Sequence, residues 1–191
     1  MLEFSKILNN KLGLNLETKD IVETIKNALC RYREQFEDTN VALENEDIAS
    51  DIKITTDHEK LAQAIYKILS YAEATSPRAA KIITMKREDL VYEVTVLCKE
   101  FEIDRFSTVT KEDFLDQIDE KTLRHINCIE LKLISACFLA QLIGPEGKNN
   151  KLKIEHANKD WQFTIFVEDK KGSPSGVEEP LDSLRIIIPE N

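Results

Sequence analysis

Glycine is scarce in this chain, and its few copies are badly placed for one class of chemistry. Of 191 residues five are glycine, and none stands between Gly13 and Gly144. A phosphate-cradling loop brings backbone N–H groups against the anion, often at positive φ, and a Cβ obstructs both. Over most of the chain such a loop is excluded. The four cysteines, Cys30, Cys98, Cys128 and Cys137, lack CxxC or Cys/His zinc spacing, so they read as reduced core thiols. Positive charge is in deficit, with 26 Lys and Arg against 35 Asp and Glu and a net charge of −9, which opposes binding to nucleic acid. No stretch approaches the roughly 20 apolar residues that span a bilayer, so no direct membrane insertion is expected. The segment MLEFSKILNN has neither the charged start nor the apolar run of a signal peptide. These absences together give the expectation of a bacterial-type cytoplasmic protein.

What is present is globular. Hydrophobic residues make up 42% and charged residues 32%, and the length suffices to bury a substantial core. The organising stretch is Thr56 to Pro77, TDHEKLAQAIYKILSYAEATSP. Thr56 and Glu59 have the spacing of a capping box. Leu61, Ile65, Ile68, Leu69 and Ala72 then recur at three and four residues, which predicts one apolar stripe on a helix. Ser76-Pro77 ends it, because proline disfavours helical geometry in the residue before it.

The same rules place the other elements. Ile21, Ile25, Leu29, Tyr32 and Phe36 share a face of a first helix, with Asp20 and Glu23 at its acidic start. Val41–Leu43 and Ile52–Ile54 are short strands. Lys81–Lys86 and Val91–Cys98 are β-rich segments around the turn Arg87-Glu88-Asp89. A helix is expected over Thr110–Ile118, and another carries Leu133, Ile134, Phe138 and Leu142 on one stripe. Lys151–Glu155 and Trp161–Val167 form a hairpin across Asn158-Lys159-Asp160, Lys170–Pro180 is a loop, and Leu184–Pro189 is a strand. A strand meander beneath helices predicts a two-layer α/β sandwich, with helices on one face of a mixed, mostly antiparallel sheet.

The run LAQAIYKILSYAEATSP resembles the N-box helix of the ATP-binding domain of sensor histidine kinases, in the GHKL superfamily (the Bergerat-type fold). Members of that family commonly read L-R-Q-V-L-x-N-L-L-x-N-A-x-K-x-[ST]-P, and Leu61, Gln63, Leu69, Ala72, Ser76 and Pro77 stand at its scaffold positions. Residues 1–14 resemble the linker from the last dimerisation helix, and residues 15–191 the ATPase-like domain. Gly144 and Gly147 resemble the family's H-G-G turn.

At the family's chemical positions the chain departs. The two N-box asparagines fall on Lys67 and Tyr71, and the second is the one that holds Mg²⁺ in the family. The D-x-G-x-G run, whose aspartate takes the adenine amino group, falls on Cys98, Glu100 and Glu102. Two carboxylates there would repel a triphosphate. Glu120–Glu130 takes the place of the ATP lid. Where that lid would end in G-x-G-L-G-L, the chain has Ile129-Glu130-Leu131-Lys132-Leu133.

Other candidates have plainer readings. His58 lies between Asp57 and Glu59, and His-Glu-Lys resembles the start of the kinase phosphoacceptor box. No proline follows at the right distance, so a solvated first-turn histidine is expected. His125 and His156 read as surface residues without a triad or metal pattern. Glu112, Asp113, Asp116, Asp119 and Glu120 read as a solvated helix face, not a calcium loop. Tyr66, Tyr71 and Phe101 read as core packing. The resemblance implies a degenerate, non-catalytic interaction module of two-component signalling, without a required cofactor. Its expected partner is a response regulator or a kinase dimerisation domain. Two alternatives stand beside it: a divergent but active domain using ATP and Mg²⁺, and an unrelated α/β interaction domain.

Overall fold

The apolar stripe on the organising helix is buried along its whole length: Leu61, Ile65, Ile68, Leu69 and Ala72 have no exposed surface. This computed structural model describes residues 13–36, 40–44, 52–77, 79–99, 126–146 and 152–171. Its elements are β1 (Glu17–Asp20), α1 (Ile21–Gln35), β2 (Val41–Glu44), β3 (Lys53–Thr56), α2 (His58–Thr75), β4 (Lys81–Glu88) and β5 (Val91–Cys98). They continue with α3 (Cys128–Ile143), β6 (Lys153–Ala157) and β7 (Asp160–Glu168).

Five strands make one sheet in the order β2-β4-β5-β7-β6. The β2–β4 pair is parallel and the other pairs are antiparallel. Alternation along the strands sends Ile83, Met85, Val94, Val96, Cys98, Phe163, Ile165 and Val167 into the core, where the helices cover them. α2 is central, packing against α1 on one side and α3 on the other. The architecture is the mixed, mostly antiparallel α/β sandwich that the meander predicts. A separate two-stranded ribbon pairs β1 with β3 antiparallel.

Several local expectations change. The cap of α2 is Asp57, whose carboxylate accepts from the Lys60 backbone N–H, whereas Thr56 is the last residue of β3 and is fully buried. An aspartate at the N-cap also meets the positive end of the helix dipole, which a threonine does not. The β4–β5 hairpin turns on Asp89-Leu90, with Asp89 at φ 54°, one step later than foreseen. Asn158, at φ 61°, likewise begins the β6–β7 turn. Asn and Asp tolerate this left-handed region better than most residues. α3 is not striped: Leu133 to Gln141 are buried without a break, and Leu142, foreseen on the stripe, is only half-buried. A helix apolar on all sides is buried on all sides. The expected helix over 110–118, the strand over 184–189 and residues 1–12 of the expected 1–14 linker lie outside the described residues.

Candidate functional site

Tyr71, Cys98 and Leu133 come from three different elements into one apolar core. Tyr71 lies on the C-terminal half of α2, Cys98 ends β5, and Leu133 is in the second turn of α3; all three have no exposed surface. The Tyr71 ring meets Phe163 of β7 edge-on, with centroids 6.1 Å apart and planes at 78°. Burial raises the Tyr71 phenol far above its ordinary range, and it pushes the Cys98 thiol up to about 12. Both groups are therefore protonated in neutral water. A protonated phenol and a protonated thiol offer neither the amide oxygen of the Mg²⁺ asparagine nor the carboxylate that takes an adenine amino group. These side chains do not fit the nucleotide that the resemblance implies. Leu131 is half-buried at the start of α3. Lys67 is not part of this cluster: it lines a shallow groove of about 350 Å³ with Arg31, Gln35, Gln63 and Tyr66 on the α1 side of α2. Glu100 and Glu102 lie outside the described residues, as do Phe101, His125 and the acidic set from Glu112 to Glu120.

Next to Cys98 sits a charged network that periodicity did not reveal. The strand register places Lys81 directly opposite Cys98. The Lys81 side chain is fully buried, and its Nζ donates to Glu73 Oε2 at 2.6 Å and to the Ala79 carbonyl at 3.0 Å. Tyr32 of α1 donates its hydroxyl to the same Glu73 oxygen at 2.5 Å. Burial first, and then the bond to the Glu73 carboxylate, raises the Tyr32 phenol. One carboxylate thus ties α1, α2 and β4 beneath the helices. The only hint in the sequence is a lysine at an inward position of a strand whose other inward residues are apolar.

The opposite end of α2 is polar. Asp57 accepts from the Asn15 backbone at 2.8 Å and from the Lys60 backbone at 3.0 Å, and its carboxylate also pairs with the Lys60 ammonium. His58, expected in solvent, is only 6% exposed. It is buried because α1 and β3 close over it: Nδ1 lies 2.6 Å from Thr24 Oγ1 and Nε2 lies 3.2 Å from the Ile54 carbonyl oxygen. Asn15, Thr24, Asp57 and His58 border a cavity of about 440 Å³ whose wall includes Glu17, Lys19, Asp20 and Glu23. At its rim Arg31 holds Glu59 through two parallel bonds of 2.9 and 3.1 Å. His156 is exposed, as expected, and stacks on Trp161 at 4.6 Å. Cys98 and Cys137 are core thiols, but Cys30 and Cys128 are exposed, which corrects the reading of all four as buried. Among the described residues, no three His, Cys, Asp or Glu side chains gather as a metal site.

No protein-family model matches the chain, and no curated protein does. Solved structures do. The histidine kinase AdeS of Acinetobacter baumannii superposes with a TM-score of 0.63 at 15% identity, over 87% of this chain and 73% of that one. The nucleotide-free catalytic domain of histidine kinase ThkA gives 0.57 at 16% identity, over 81% of this chain and 95% of that domain. ThkA in complex with its response regulator TrrA gives 0.60 at 16% identity, over 88% of this chain and 47% of that one. The fold is that of histidine-kinase catalytic domains.

Proposed function

We propose, with the histidine-kinase catalytic-domain fold as premise, that this chain is a degenerate member which has lost ATP binding or retains it weakly. It acts in two-component signalling as a non-catalytic module that binds a protein partner. The observation that carries this reading is the burial of Tyr71, Cys98 and Leu133, uncharged side chains at the positions that carry the chemistry in the family. The partner class follows from the same fold: a response regulator, such as the one in the ThkA complex, or a kinase dimerisation domain. The rival reading, a divergent active domain, draws on the same fold and needs Mg²⁺ and ATP to be held without the asparagine or the aspartate. The shared fold supports these two readings over an unrelated α/β domain.

Titration with ATP and Mg²⁺ separates the two, following heat release and thermal midpoint together. A ligand at one hundred times its Kd adds about 2.7 kcal/mol of stability, which a melting scan detects. The expected result is no heat and no shift up to millimolar nucleotide. Saturable micromolar binding would overturn the proposal and make the chain the catalytic half of a kinase.

A further inference from the structure

His58 closes a chain of hydrogen bonds that passes through three elements. At one end the Asp20 carbonyl, at the cap of α1, accepts from Thr24 Oγ1 at 3.1 Å. Thr24 Oγ1 stands 2.6 Å from His58 Nδ1, and His58 Nε2 stands 3.2 Å from the Ile54 carbonyl of β3. Both ends of this chain are carbonyl oxygens, which only accept. Three contacts therefore need three protons, and one hydroxyl and one imidazole must supply them all. A neutral ring brings one N–H, so hydroxyl and ring together fill two contacts. With its proton on Nε2, the ring takes the Thr24 hydroxyl proton and the Asp20 carbonyl loses its contact. With its proton on Nδ1, the bare Nε2 lone pair faces the Ile54 oxygen. Only the doubly protonated ring fills all three.

We propose that His58 is a proton-operated pin: with both ring nitrogens protonated it fastens the first turn of α1 and strand β3 to the start of α2, and loss of one proton releases that rim. Charged groups line the cavity beside it. β1 presents Glu17 and Lys19, α1 presents Asp20, Glu23 and Arg31, and α2 itself presents Asp57 and Glu59. Lys60 is taken up by Asp57, and Arg31 by Glu59. From beyond β7, Asp169 reaches β3 at the Thr55 N–H and pairs with Lys171 at 3.2 Å. Glu17 is held below the usual carboxylate range chiefly by Lys19, with His58 as a smaller contributor. This inference stands independently of whether the chain binds nucleotide.

Filling all three contacts takes the second ring proton, so the fastening should be complete at acid pH and lost as pH rises. The experiment uses the whole chain with its histidine rings labelled with ¹⁵N, between about pH 5.5 and 8. At the acid end both His58 nitrogens should carry protons. As pH rises and one is lost, amide exchange in residues 21–27 and 58–61 should accelerate by roughly two- to tenfold, the factor that one hydrogen bond supports. Thermal midpoints should fall with pH more steeply for the native protein than for His58→Gln. Should that variant fail to fold, Thr24→Val keeps the ring, cuts the relay and should flatten the same slope. A ring with one proton throughout, or equal slopes in native and variant proteins, overturns the pin.

Discussion

The two ends of α2 are buried by opposite means. At the C-terminal half Tyr71 and Cys98 have lost contact with water and are kept uncharged, and Lys81, opposite Cys98 on β4, is matched by Glu73. At the N-terminal end Asp57 and His58 are also hidden, yet each polar atom of their side chains that the structure describes has a partner, and a cavity opens beside them. In the resembling family the first region carries the chemistry. Here that region is filled as a core, while the polar organisation has its fullest expression at the other end of the helix.

The comparison can be broken most readily at the thiols. Cys98 and Cys137 are pushed up to about 12 by burial, whereas Cys30 and Cys128 are exposed. A thiol reagent near pH 8 should label Cys30 and Cys128 in the native protein. The two buried thiols should react roughly a thousandfold more slowly until denaturant is added, since the thiolate is the nucleophile. Fast labelling of Cys98 would mean that the filled region is open. Next in size is Lys81→Met, which leaves Glu73 buried without its cation and should cost about 3–5 kcal/mol in a urea titration. Adding Glu73→Leu to it should recover most of that loss, because an apolar pair replaces an ion pair without stranding a charge.

At the other end Asp57→Ala removes a cap together with the bonds to Asn15 and Lys60. It should destabilise by about 2 kcal/mol, the upper part of the range for caps. The smallest effect belongs to the exposed Arg31–Glu59 pair, whose double-mutant coupling should be under about 1 kcal/mol and should weaken with salt. Arg31 leads the causes that hold the Glu59 carboxyl below its ordinary range. A depressed carboxylate adds stability above its unfolded pKa of about 4.3, and that contribution disappears as pH falls through the lower folded value. The coupling should therefore be intact at neutral pH and absent in strong acid. A coupling that persisted in strong acid would show that the pair is held by something other than charge.

Where one face of an element is apolar, the sequence announces it. Ile21, Ile25, Leu29 and Tyr32 mark α1, and the stripe from Leu61 to Ala72 marks α2, because burying one side of a helix demands that spacing. β4 and β5 are legible for the same reason with a period of two. β1 was not, since Glu-Thr-Lys-Asp carries no alternation and is a strand only because β3 lies beside it. Tyr71 was named from the N-box likeness and Cys98 from the place of the D-x-G-x-G run. Their burial was expected from their residue types, but that they share one core with Leu133 was not legible, for it depends on how three distant elements pack. His58 is the sharpest miss. Its partner Thr24 lies 34 residues upstream, and local sequence places a first-turn histidine in water. The Lys81–Glu73 pair was invisible for a related reason: a charged residue at an inward strand position is informative only once its counter-ion is known.

The β1–β3 ribbon is not closed by its own turn or by its neighbours in sequence. The Thr55 N–H donates to Asp169 at 2.9 Å across a separation of 114 residues, and the Lys170 N–H returns a bond to the Thr55 carbonyl at 2.8 Å. During synthesis at about 5–20 residues per second, β3 emerges roughly 6–23 s before the residues that fasten it. Closing so long a loop is also a slow step in refolding, because the entropy of closure must be met before the contact forms. The front of this domain therefore waits in part on its back: α1, α2 and the β1–β3 pairing can take shape early, but the bonds from Asp169 and Lys170 that fasten the ribbon come only once β7 has been laid down.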